Sequence, residues 1–192
     1  GGVTRMAAVT EKLVPVMACF YLVGGLVMLI ANITNLPHAF ALIFEGAFNP
    51  QAILGGAVGI GVREAMRYGV ARGLFSNEAG MGSTPHAHAM AKVEKPQDQG
   101  VVAMVCVFID TFVVLTITAL VMITSGALNV GNMAANPAAE NMAQVAFSTV
   151  FGSFGNFYVA ICLLFFAFST LIGWYFFGEQ NVQYLFGVKD VQ

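Results

Sequence analysis

Charge is what this sequence has least of. Of its 192 residues, 9% are Asp, Glu, Lys or Arg, where soluble domains carry roughly a quarter. So few charges cannot cover a water-exposed surface for a chain of this size, which makes lipid the expected solvent. The 8 Lys and Arg are scattered and the formal net charge is -2, which excludes a basic nucleic-acid patch and with it a nucleic-acid partner. Cysteine is equally sparse. The three, Cys19, Cys106 and Cys162, each lie in an apolar run with no CxxC spacing, which excludes a disulfide framework and reads as packing by small hydrophobes. There is no Walker loop, GxSxG or HExxH. No internal repeat, low-complexity tract or signal-peptide pattern is visible. The opening "GGVTRMAAVTEK" has no initiator Met and reads as the middle or end of a longer protein.

What is present is long apolar runs: 58% of residues are hydrophobic and the mean hydropathy is +0.78. A bilayer core of about 30 Å needs roughly 20 apolar residues in a helix. Residues 13–33, 101–125 and 145–177 satisfy this. Pro15 falls near the expected start of the first, where proline is tolerated. The last, with no charged residue, is long enough that it must tilt or begin outside the hydrocarbon. Between the first two runs, Pro37, Pro50, Gly55 and Gly56 break the apolar pattern, and short helices are expected over 39–48 and 51–68. A fourth span is expected over 68–93, broken near 76–82.

Flanking Lys and Arg set orientation. Arg5, Lys12, Lys92, Lys95 and Lys189 fall on the cytoplasmic side if the chain crosses once more between the first two runs. With that crossing at 68–93, Arg63, Arg67 and Arg72 lie outside, against the rule; with it at 43–61, everything from Arg63 to Gly100 is cytoplasmic. Both leave the other three helices oriented alike, and "GALNVGNMAANPAAEN" is an external loop in each.

The polar stretch "RGLFSNEAGMGSTPHAHAMAKVEKPQDQG" interrupts this oily chain. Gly80, Gly82, Ser76 and Asn77 disfavour helix, and Pro85 suits the first turn of a new one, with Ser83 or Thr84 as its N-cap. A half-helix ending near Phe75 leaves free carbonyls, and one starting near Thr84 leaves free N–H groups. Carbonyls favour a cation and N–H groups a carboxylate, a pairing that suits an amino-acid zwitterion. An ordinary cytoplasmic loop followed by a capped helix fits the same residues. Asp110, inside its apolar run with Thr111, Thr116 and Thr118 near it, marks either an ion or proton pathway or a paired structural charge. Thr170 and Trp174 are four apart and share a helical face. Ser169 and Thr170 offer oxygens to Na⁺ or glue between helices, while Trp174 walls a small pocket or anchors at the interface. His86 and His88, two apart on a helix, diverge and do not form a metal site.

Three runs, "GVARGLFSNEAGMGSTPHAHA", "FIDTFVVLTITAL" and "FFAFSTLIGWYFFGE", resemble the alanine/glycine:cation symporter family, also called sodium:alanine symporters, in order and over nearly the whole chain. The resemblance implies an all-α membrane protein, part of the leucine-transporter-type inverted-repeat fold, in which the first and sixth core helices are broken at mid-membrane. This chain then holds core helices five to eight, at about 13–33, 68–93, 101–125 and 145–177, as the C-terminal portion of one transporter domain. It also implies alternating access in a bacterial-type plasma membrane, with Na⁺ entry driving uptake of alanine, glycine or similar amino acids. Carried over by position, Phe75, Ser76, Asn77, Ala79, Gly80, Thr170 and Trp174 meet the substrate. Ser169 and Thr170 ligate Na⁺, and Asp110 or Thr111 stands at a second ion position. No cofactor beyond the coupling ion and no catalysis are implied. The partners are the amino acid, the bilayer and the N-terminal helices that carry the remaining ligands. Two other classes compete: a channel using Asp110 in a conduction or proton pathway, and a membrane-embedded enzyme using Glu78, His86 or Asp110.

Overall fold

The computed structural model describes residues 3–48, 58–78, 80–128 and 141–187, and all its regular elements there are helical. Helix α1 (Val3–Ala31) leads through a 3₁₀ turn (Ile33–Asn35) into α2 (Leu36–Phe48). Then come α3 (Val58–Ser76) and the short α4 (Ser83–Ala89). Next, α5 (Pro96–Phe108), a π-helical segment (Ile109–Val114) and α6 (Leu115–Thr124) form one continuous rod. Helices α7 (Met142–Phe151) and α8 (Ser153–Phe186) complete the chain. Among the described residues, three stretches have the length and apolarity to cross a membrane: Ala8–Ala31, Pro96–Thr124 and Ser153–Phe186. The shortest has 24 residues, a rise of about 36 Å, against a hydrocarbon core of about 30 Å.

The structure revises several expected boundaries. Helix α1 begins at Val3, so Pro15 lies in its interior. The expected division at Tyr68 is absent, since α3 runs unbroken through it. Residues 51–57, part of the short helix expected over 51–68 and of the alternative crossing at 43–61, lie outside the described residues, as does most of the expected external loop. The single helix expected over 145–177 is two. Gly152, at φ 57 and ψ -140, takes a conformation open essentially to glycine, and α7 folds back along α8. At the contact, a Cβ on Gly155 would meet the backbone carbon and oxygen of Phe147 at 2.7 Å. The excess apolar length thus becomes a packed hairpin.

The core lies between α1, α6, α7 and α8. Met28, Val121, Ala146, Phe147, Tyr158, Val159 and Cys162 are buried together. Lipid gives no hydrophobic drive for helices to associate, so close approach and polar bonds must supply it. Gly24 leaves the space that the Tyr158 ring fills, and the Tyr158 hydroxyl donates to the Phe20 carbonyl. The Thr118 hydroxyl donates to the Val114 carbonyl at 2.8 Å and so accepts from Tyr21 at 2.6 Å, tying α1 to α6. Of the cysteines expected to pack, only Cys162 does; Cys19 and Cys106 are exposed, because their helix faces point away from this core. Helix α5 buries no residue and α4 buries only Ser83. Among the described residues, side-chain hydrogen bonds join α4 to α5, His88 to Gln99 at 2.6 Å, and the end of α3 to the π segment.

Candidate functional site

Helix α3 stops where the sequence turns to Asn, Glu and Gly. Ser76 is its last residue, Asn77 N–H donates to the Gly73 carbonyl and Glu78 N–H to the Phe75 carbonyl, each at 3.1 Å. Three described residues of the link then have positive φ: Glu78 at 51°, Gly80 at 81° and Gly82 at 81°. Helix α4 resumes at Ser83. The break expected over 76–82 is therefore present.

Its capping differs from expectation. Gly82 is the N-cap of α4 and provides no side-chain cap. The Ser83 and Thr84 hydroxyls instead donate to one oxygen of the Glu78 carboxylate, at 2.6 and 2.7 Å. An anion from the chain itself thus stands beside the start of α4. The imidazole Nδ1 of His86 bonds the Gly82 carbonyl at 2.7 Å, and its Nε2 lies 3.3 Å from the Asn181 side-chain oxygen.

The end of α3 faces the π-helical segment. Ser76 Oγ donates to Asp110 Oδ2 at 2.5 Å, and Thr111 Oγ1 donates to Asn77 Oδ1 at 3.1 Å. Two consecutive residues of the broken helix therefore bond two consecutive residues of the π turn, 34 positions on. A π turn widens the helix locally and is frequent at functional sites; here it carries the only acidic residue of its segment. Ser76 and Asp110 are half-buried, and their hydroxyl-to-carboxylate bond is of the charge-assisted kind.

On α8, Ser169 and Thr170 donate to the same Phe166 carbonyl, at 3.0 and 2.8 Å. Trp174 sets its ring edge on Phe177, with centroids 5.9 Å apart, and Phe177 lies 5.8 Å from the His86 ring. Trp174 thus reaches the far side of the break through one intervening ring. No described hydrogen bond or ring contact joins Thr170 or Trp174 directly to Phe75, Ser76, Asn77 or Gly80, and Ala79 lies outside the described residues. Phe75 is exposed. Sequence reasoning missed the Glu78 carboxylate as a partner of Ser83 and Thr84, although a Glu five residues before a Ser–Thr pair in an oily chain was a signal. It also missed the link from His86 to Asn181, which no local pattern announces. Among the described residues, no three His, Cys, Asp or Glu gather as metal ligands.

Long apolar helices around a polar junction of broken and π-helical backbone define an α-helical integral membrane protein. The model of the sodium:alanine symporter family matches residues 1–192, and the chain belongs to this family, which comprises transporters and not enzymes. It is 44% identical to an "uncharacterized transporter" of Haemophilus influenzae, over 100% of this chain and 41% of that protein. It is 40% identical to the sodium/alanine symporter AgcS of Methanococcus maripaludis, over 100% of this chain and 41% of the relative. A sodium/proton-dependent alanine carrier protein of Bacillus sp. is 39% identical, over 96% of this chain and 43% of the carrier. The chain therefore spans about two-fifths of the length of these relatives.

Proposed function

We propose that this chain forms part of a secondary active symporter that couples Na⁺ entry to uptake of small neutral amino acids, alanine and glycine first, by alternating access. In this reading it contributes core helices five to eight of a leucine-transporter-type inverted repeat, with the break between α3 and α4 as the unwound sixth helix. The observation that carries it is the pair of bonds Ser76–Asp110 and Asn77–Thr111. They join the unwound segment to an acid in a neighbouring apolar helix, and an intramembrane acid is a costly feature that marks ion pathways. Phe75, Ser76, Asn77, Ala79 and Gly80 line the substrate from the break, and the last carbonyls of α3 favour its ammonium group. Thr170 and Trp174 line it from α8. Ser169 and Thr170 ligate Na⁺, and Asp110 takes part in a second ion position. The family match and the names of the relatives from Methanococcus and Bacillus support Na⁺ and alanine as the transported pair.

The test is uptake of labelled alanine into proteoliposomes by a full-length transporter carrying this sequence. An inward Na⁺ gradient should drive it. Asp110→Asn keeps the shape and removes the charge, so the Na⁺ concentration for half-maximal uptake should rise roughly tenfold or more. Uptake indifferent to Na⁺ would sink this reading.

A further inference from the structure

Glu78 holds the most demanding position in the break. It is the one described non-glycine residue with positive φ, 51°, a conformation that side chains other than Asn and Asp adopt rarely. Its carboxylate accepts from both Ser83 and Thr84. Ser83 is 4% exposed and its hydroxyl has no other described hydrogen bond, so losing Glu78 strands a buried donor. The described link has few other ties, among them the His86 imidazole on the Gly82 carbonyl at 2.7 Å. Gly80 and Gly82 are both at φ 81, and a Cβ added to either would meet nothing within 4 Å. One backbone bond, Met81 N–H to the Glu78 carbonyl at 3.2 Å, closes a turn inside it. No neighbouring atom confines Gly80 or Gly82, and the side-chain bridge from 78 to 83 and 84 spans the link.

We propose that Glu78 is a positioning residue, whose carboxylate ties the end of α3 to the first turn of α4 and so presets the shape of the segment that meets the amino acid. This rests on the reading of Phe75, Ser76, Asn77, Ala79 and Gly80 as substrate-facing. With the bridge cut, two glycines regain backbone freedom, and the ligand must order the segment as it binds. That ordering cost falls on affinity. Once substrate is bound the segment is ordered in either case, so turnover is preserved.

The experiment compares Glu78→Ala, the double variant Ser83→Ala/Thr84→Ala, their combination, and Glu78→Gln, in the full-length transporter at saturating Na⁺. Glu78→Ala should raise KM for alanine about tenfold with turnover per folded molecule retained. The double variant should reproduce this, the combination should add little, and Glu78→Gln, whose amide oxygen still accepts, should recover most of it. A raised KM in Glu78→Ala with an unchanged KM in the double variant would mean that Glu78 touches ligand or ion itself, and would overturn the proposal. So would additive effects, or an unchanged KM in every variant. Spin labels at positions 74 and 87 provide a readout independent of transport. Their distance distribution should broaden at least twofold in Glu78→Ala and in the double variant, and equal widths would overturn the bridge. Failure of the wild type to take up alanine would count against the symporter reading, while the label distances still decide the role of Glu78.

Discussion

A hydroxyl that has donated its one proton still has lone pairs to offer. Ser169 and Thr170 are in that state, both donating to the Phe166 carbonyl, which leaves their oxygens available to a cation. Replacing both with Ala removes two ligands and little volume. Alanine uptake should then lose its steep Na⁺ dependence while expression and thermal stability change little, measured as uptake against external Na⁺. An unchanged Na⁺ response would leave these hydroxyls as helix–helix contacts. Trp174 poses a question of size. Half-exposed and edge-on to Phe177, it should limit the side chains the pocket admits. Forcing extra methylenes into filled space costs about 1–3 kcal/mol, or roughly tenfold to a hundredfold in affinity. Trp174→Leu should therefore relax selectivity towards larger amino acids while weakening alanine, read by competition from glycine to leucine against labelled alanine. An unchanged rank order in a folded variant would make Trp174 a membrane anchor.

At the level of elements, what the sequence discloses depends on whether its cause is local. The break at 76–82 was legible because Gly80, Gly82 and Pro85 act on their own backbone. The cap was misread, since Ser83 and Thr84 look like N-caps until Glu78 comes round the turn to accept their hydrogen bonds. The π turn was illegible. "IDTFVV" contains no glycine or proline, and only the register of hydrogen bonds separates it from an α-helix. The Ser76–Asp110 bond was hidden for another reason: it joins positions 34 apart, and only tertiary packing brings them together. The α7–α8 hairpin lay between these cases. Gly152 and Gly155 were in view, but the uncharged run around them looked like one long span. Its consequence can be measured. Gly155→Ala places a methyl against the Phe147 backbone, where no flexible side chain can yield, and should destabilise the protein by about 1–3 kcal/mol, seen as a lower midpoint of thermal unfolding in detergent. An unchanged midpoint would mean that the two helices separate without cost.

Over the whole molecule, orientation follows from the few charges. Positions near Lys95 should face the cytoplasm, and position 132, outside the described residues, should face the exterior. A membrane-impermeant thiol reagent applied externally should label a single cysteine at 132 and miss one at 95; the reverse would invert the topology. The same scale shows where the molecule is jointed. Helices α1, α6, α7 and α8 form a packed block, whereas α4 and α5 bury only Ser83, and the π turn at Ile109–Val114 lies between α5 and α6. A π turn holds one residue more than an α-helical turn needs, which makes it a surplus of chain length. Deleting one residue elsewhere in the rod should disrupt packing, but a deletion within 111–114 can be absorbed by reversion to α-helix. The deletion removes only the extra residue that the π turn accommodates, so α5 and α6 keep about the same relative orientation, whereas one in the α-helical part of the rod would rotate one side by about 100°. Such a shortened protein should insert and fold with α5 and α6 in place, yet lose the widened turn that presents Asp110 to Ser76, and with it Na⁺-driven uptake. The length of this one helix, counted in residues, would then be as much a functional property as any side chain along it.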